Sequence, residues 1–362
     1  MLYLGPVSHP SSSQTTVTTT NAPDLETWRA LYASASRFYA LKPWEWMGDT
    51  DIFGVRNPAG GETGFCCIMG AAGEHFALAV YLGAEGLDVL TRIGLREIPT
   101  DPFSVLTMQK CLMASFEDRT ILQQMDFDVI RDLGLKFRGR NAWPQFRSYL
   151  PGYAPWIVSQ AEAEFLTIAL DQGCEVCMTY RDRPDALSLQ KAMNGSRKLL
   201  IRVRSDRGGK QVWEDAMEPI PIYEPAMALP APLDAVKVKS AKSRARRSSQ
   251  VVDMDYFYMP AAVKGESDER PWYPIVVLCV DDVTGMVLHF EMVSGKEVSG
   301  GFAQAVLEFV EQSGQLPNKV RVRNEQALLL LEPVLAELKV PIELRTSLPM
   351  IEEAQQALFN TL

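Results

Sequence analysis

Apolar residues fall at helical spacing from Leu25 through Trp28, Leu31, Tyr32, Ala35 and Phe38 to Tyr39. This predicts an amphipathic helix that ends before Lys42-Pro43. Asn21-Ala22-Pro23-Asp24 supplies its start, with Asn21 as the expected N-cap. Residues 44–86 change character and become rich in aromatics and glycines. Three short strands are expected there, over 51–55, 64–70 and 75–82. Turns at Asn57-Pro58-Ala59-Gly60-Gly61 and Ala71-Ala72-Gly73 separate them. A helix over 85–94, a strand over 106–117 and a short helix over 126–134, closed by Gly134, come next. Ser159 with Glu162 three residues on forms a capping box, and Ala163, Leu166, Ala169 and Leu170 mark the apolar face of the long helix behind it. Residues 198–204 and 211–216 pair around Gly208-Gly209. Residues 22–224 thus read as one α+β domain, an antiparallel meander with helices.

Residues 225–252 pass from a Pro/Ala-rich stretch into a run of cations without apolar periodicity, and are expected to form a flexible basic linker. From residue 253 onward the pattern sharpens. Residues 274–281 are almost continuously apolar, the signature of a buried strand. Asp282-Val283-Thr284-Gly285 turns it, and 286–293 pairs back as a hairpin. Phe302, Val306, Phe309 and Val310 share one face of a helix that stops at Gly314. Residues 319–323 read as a strand and 325–338 as a helix, which Pro333 should kink or restart. A strand over 342–346 and a final helix carrying Met350, Ile351, Ala354 and Leu358 complete an α/β domain over 253–362.

Composition narrows the function classes. Residues 11–20 are nearly all hydroxyl side chains, so 1–21 is expected to be a disordered tail. No window approaches 18 consecutive apolar residues, so no membrane span is expected. Residues 1–10 have neither the basic region nor the apolar core of a secretory signal. Six cysteines, two of them adjacent at Cys66 and Cys67, do not make a disulfide framework, and a cytoplasmic setting is expected. A formal charge of -9 argues against gripping phosphate backbones wholesale. The local exception is Lys237, Lys239, Lys242, Arg244, Arg246 and Arg247 in the linker, where nucleic acid or an acidic partner would find cations.

Val280-Asp281-Asp282-Val283-Thr284-Gly285-Met286-Val287, followed by alternating helix and strand, resembles the ribonuclease H and retroviral-integrase core. The resemblance implies a ribonuclease H-like mixed sheet, with residues 255–259 supplying a missing strand. It also implies an acid on the first strand, a second after the fourth strand and a third on a later helix, together holding divalent metal for phosphodiester cleavage. Asp281, with Asp282 beside it, matches the first position. Glu352 or Glu353 matches the third, and Glu352 is preferred because it shares a helical stripe with Phe359. At the second position the chain carries Arg323-Asn324, and a cation there would displace metal. The expected domain is therefore catalytically degenerate, with Mg2+ as cofactor only if Asp281, Asp282 and Glu352 prove to be a nuclease site. The whole chain is also similar to uncharacterised bacterial two-domain proteins that carry Trp-Glu-Trp-Met, Gly-Glu-His-Phe-Ala-Leu and Pro-Gly-Tyr-Ala-Pro-Trp segments.

Other chemistry is sparse. Cys174-x-x-Cys177 is half of a zinc pattern with no second half and reads as core. Glu74-His75 stands at a strand start, and His289 alternates along its hairpin strand as a solvent-facing residue. No phosphate loop, dinucleotide fingerprint or nucleophile elbow occurs. Trp44, Trp46, Arg138, Arg140, Trp143 and Trp156 are the candidate recognition surface, with the tryptophans packing the core as the alternative. The reading carried forward is a non-enzymatic interaction module with an unknown protein partner. A metal-dependent nuclease and a nucleic-acid adaptor are the competing readings.

Overall fold

The computed structural model describes residues 22–95, 97, 102–225, 228–264, 270–295 and 298–360. The tail expected over 1–21, and Asn21 with it, lies outside the described residues. The first helix, α1 (Leu25–Leu41), starts instead from Asp24, whose carboxylate accepts the Thr27 N–H at 2.7 Å. Three antiparallel strands follow as expected: β1 (Phe53–Val55), β2 (Gly64–Met69) and β3 (Phe76–Leu82). Helix α2 (Gly83–Gly94) comes next. The strand expected over 106–117 divides into helix α3 (Pro102–Met108) and strand β4 (Cys111–Glu117). Helix α4 (Gln124–Asp132) leads into β5 (Trp143–Tyr149), a strand that the mixed Arg, Trp and Pro sequence concealed. Pro144 is tolerated there because β5 lies at the sheet edge.

Helix α5 (Gln160–Thr179) carries the expected capping box, and α6 (Leu189–Asn194) precedes the hairpin β6 (Lys198–Arg207) and β7 (Lys210–Pro219). The seven strands run in the order β5-β4-β3-β2-β1-β6-β7, antiparallel except where β1 meets β6. Helices α1 and α5 cover one face, burying Phe38, Ile68, Leu78, Phe146 and Leu166. The approach of α5 depends on Gly64, where a Cβ would stand 2.4 Å from Val80 and 2.9 Å from the Phe165 ring. Inside this layer, Arg147 of β5 grips Asp126 of α4 with two parallel hydrogen bonds, of 2.8 and 2.6 Å. Asp126 also accepts the Gln123 N–H at 2.9 Å, so one buried carboxylate caps α4 and anchors it to the sheet.

Within the expected flexible linker, residues 234–247 pack on the second half. Asp234 caps helix α7 (Ala235–Arg244), and Val238 and Ala241 are buried against the second core. Two apolar positions three residues apart are too few to register as periodicity, yet they suffice to dock one short helix. Lys242 reaches Glu337 at 2.6 Å. Strand β8 (Arg246–Arg247) is followed by β9 (Val251–Tyr258), β10 (Ile275–Asp281) and β11 (Val287–Val293). Then come helix α8 (Val298–Ser313), the short β12 (Gln315–Leu316), which pairs with β8, and β13 (Lys319–Val322). Helix α9 (Glu325–Leu338) runs through Pro333 without restarting. Its buried Leu330, Leu331, Val334 and Leu335 hold it through the position that lacks an N–H. Strand β14 (Ile342–Leu344) and helix α10 (Pro349–Asn360) complete the chain.

The second sheet has the order β11-β10-β9-β13-β14. Strand β10 runs antiparallel to both neighbours, whereas β13 is parallel to β9 and β14. Helices α8 and α9 pack on one face, and α10 covers Phe257, Val276, Leu278 and Val280 on the other. The two halves dock through the Pro-Gly-Tyr-Ala-Pro-Trp loop. Ala154 N–H donates to Pro271 O, Tyr273 N–H donates to Gly152 O, and Arg270 Nε donates to Ala154 O at 2.8 Å. Gly152 has φ +77, and a Cβ there would meet the Tyr258 hydroxyl at 3.1 Å, so both the turn and the close approach favour glycine. Burial pushes the Arg270 pKa down to about 10.

Cutting the Arg147–Asp126 pair leaves one charge buried without its partner. Arg147→Ala is expected to lower stability by about 3–5 kcal/mol in urea denaturation. An Asp126→Leu/Arg147→Met double variant, which leaves no orphan charge, should recover much of that loss.

Candidate functional site

Strand β9 reads Val-Val-Asp-Met-Asp-Tyr-Phe-Tyr, and alternation sends Val252 and Met254 to the α8–α9 core. Asp253 and Asp255 point the other way, towards α10, and both are 0% exposed. A central strand carries two such carboxylates only if cations meet them. Strand β13 supplies these cations at the same spacing of two, since Arg321 lies opposite Asp253 in the parallel register. Arg321 donates to both Asp253 oxygens, at 2.6 and 3.0 Å, and also reaches Asp282 at 3.3 Å. Just past the strand, Arg323 pairs through Nε with Asp255 and reaches Glu352 of α10 at 3.6 Å.

Asn324 completes the group. Its side-chain N–H donates to Asp255 at 3.0 Å, while its oxygen caps α9 by accepting the Ala327 N–H at 2.7 Å. Four carboxylates, Asp253, Asp255, Asp282 and Glu352, thus surround two guanidinium groups at the covered ends of adjacent parallel strands. Burial raises the Asp255 pKa, against the opposing pull of Arg323 and Asn324. Hydrogen bonding to Asp253 raises that of Arg321.

A divalent cation does not fit this arrangement. The space between Asp255 and Glu352 is spanned by the Arg323 guanidinium, which brings fixed positive charge and takes up the oxygens a metal would need. Asp281 is not part of the cluster. It accepts hydrogen bonds from Gln250 at 2.8 Å, from Thr284 N–H at 2.7 Å and from the Thr284 hydroxyl at 2.8 Å. These bonds, Gln250 first, hold its pKa down at about 2, so its work is to bind the turn of the β10–β11 hairpin. Of the expected nuclease residues, Asp282 and Glu352 reach the arginine pair and Asp281 does not. Asp253 and Asp255 were missed, although Asp-x-Asp on one strand and Arg-x-Arg on another are a complementary signal.

The expected aromatic surface does not assemble. Trp44 is buried among Phe38, Tyr39, Phe76 and Phe116, with ring centroids 4.8–6.3 Å away. Trp46 donates its indole N–H to Cys177 O and lies under Arg181. Trp143 packs on Phe127 and Phe137 with Arg119 above it, and Trp156 faces Lys264 near the junction of the two halves. Arg138 and Arg140 are exposed, and Arg140 is paired with Asp118 at 3.6 Å rather than with any tryptophan.

All six cysteines are free, and burial raises the thiol pKa of both Cys174 and Cys177. His75 is half-exposed beside Glu117, while His289 is buried against α8 rather than facing solvent. The linker cations are partly spent on docking: Lys237 donates to Gln304, Lys242 to Glu337 and Arg247 to Leu338 O. Among the described residues, no helix is long and apolar enough to cross a membrane.

These features define a two-domain protein of mixed α/β type whose second sheet carries a dense polar cluster closed by its own arginines. Residues 28–202 match the family model of a domain of unknown function (DUF7309), and residues 237–359 match that of a second one (DUF6930). Together these matches support a two-domain family of unknown function, and the second begins inside α7. No curated protein matches the chain.

The depressed Asp281 pKa yields a signed prediction. Its contribution to stability is present above the ordinary value of 3.8 and is lost as pH falls towards about 2. Asp281→Ala should cost about 1 kcal/mol at neutral pH. In paired urea titrations the gap between wild type and variant should close over that acidic window.

Proposed function

We propose that this is a non-enzymatic cytoplasmic protein in which residues 253–362 form a catalytically degenerate ribonuclease H/integrase-like domain acting as an interaction module. The strand order and directions of the second sheet support the fold part of this reading. Counted from β9, the first strand carries Asp253 and Asp255, the fourth is β13, and the last helix carries Glu352. One observation carries the loss of catalysis. Arg323, at the end of the fourth strand, bridges Asp255 and Glu352, where the resemblance would require an acid and a metal.

The interaction part rests on the sheet edge. Strand β11 has no neighbour on its outer side among the described residues. Phe290 is 59% exposed and Met292 62%, with Val283 and Met286 exposed on the turn before them. An unprotected apolar edge of this kind favours addition of a strand from a protein partner. Six free thiols, five of them buried, suit a reducing compartment.

Calorimetric titration of Mg2+ into the full chain should give no saturable heat that depends on Asp255 or Glu352. Heat, or phosphodiester hydrolysis, that disappears in Glu352→Gln would overturn the reading. A Phe290→Asp/Met292→Lys variant should lose the partners retained by wild type in affinity capture, with its urea transition unchanged. Partners retained equally by both would remove β11 as the docking edge.

A further inference from the structure

The face of β11 opposite Phe290 holds a second cluster, separated from the arginine-closed one by the thickness of the sheet. His289 and Glu291 stand two residues apart and so share the face packed on α8, from which Glu308 reaches them. One potential ligand atom from each of His289, Glu291 and Glu308 lies within 4.8 Å of the other two. The imidazole is only 7% exposed, and its Nε2 has no hydrogen-bond partner. It lies 3.8 Å from the nearer Glu308 oxygen, too far for a hydrogen bond.

The other ring nitrogen explains the arrangement. With the ring proton on Nδ1, His289 donates to the Gln312 amide oxygen 3.4 Å away. Nε2 is then a lone pair directed at carboxylate oxygens. That lone pair and one oxygen each of Glu291 and Glu308 are the donor set a cation would use. Metal-bound histidines are oriented in this way, with the distal N–H held by a second group. Tetrahedral bonds of about 2.0–2.1 Å place ligand atoms roughly 3.3–3.4 Å apart, so side-chain rotation must draw the most distant pair in by up to about 1.4 Å.

We propose that His289, Glu291 and Glu308 form a binding site for a first-row divalent transition ion of the Zn2+ or Co2+ kind, tying edge strand β11 to helix α8. An imidazole with two carboxylates suits such ions better than Mg2+ or Ca2+, which take oxygen ligands alone. Three protein ligands leave coordination positions open to water. The site is independent of the arginine-closed cluster, and its failure would leave the reading of that cluster untouched.

The test is titration of Co2+ into the full chain, followed by visible absorption. One equivalent should bind, with ligand-field bands but no thiolate charge-transfer absorption, and Zn2+ should displace it while Mg2+ should not. Affinity should fall at least about tenfold in Glu308→Gln and in His289→Gln. Metal-free urea transitions of the variants check that they fold, and Glu308→Gln alters only a partly exposed helical side chain. Absence of saturable binding, thiolate bands, or affinity unchanged in both variants would overturn the site.

Discussion

Two aspartates with no exposure, in the middle strand of a five-stranded sheet, are the constraint on which the second half depends. Carboxylates in that position need cations at close range, because water is not there to solvate them. The nearest backbone able to deliver them is the adjacent parallel strand, and its arginines stand at the same interval of two residues. A slip of one residue in that pairing would turn Arg321 and Arg323 into the apolar core and leave both aspartates alone. Asn324 then ties the same cluster to the start of α9, and Glu352 ties it to α10. One polar layer thus sets strand register and two helix positions together.

Much of the architecture was legible because local chemistry demanded it. The Ser159–Glu162 box, the stop at Gly134 and the hairpin at Gly208-Gly209 all rest on backbone requirements that a few residues meet. What escaped were elements whose reason lies elsewhere in the chain. Helix α7 is held by buried Val238 and Ala241 and by two lysine contacts to another part of the molecule, and β5 owes its strand state to its neighbour β4 and to the buried Arg147–Asp126 pair.

The acids and cations of the candidate site were legible by composition, but not their neighbours in the sheet. The apolar run that ends at Asp281 is not the first strand of the second sheet but its second, β10, behind β9. The true first strand is interrupted by its own aspartates, and without knowledge of β13 these look like surface residues. His289 looked solvent-facing for a similar reason, since only the packing of α8 decides which face of an edge strand is covered.

The two faces of this sheet therefore put carboxylates to different uses, neutralised by guanidinium on the α10 side and aimed at an unsatisfied imidazole on the α8 side. Arg323 is the residue that decides between guanidinium and metal at Asp255 and Glu352. Crystals of the full chain soaked in Mn2+ and measured for anomalous scattering would show this directly. The account predicts no manganese between Asp255 and Glu352, with the Arg323 guanidinium on Asp255. A manganese peak ligated by those two carboxylates, with Arg323 displaced, would contradict it.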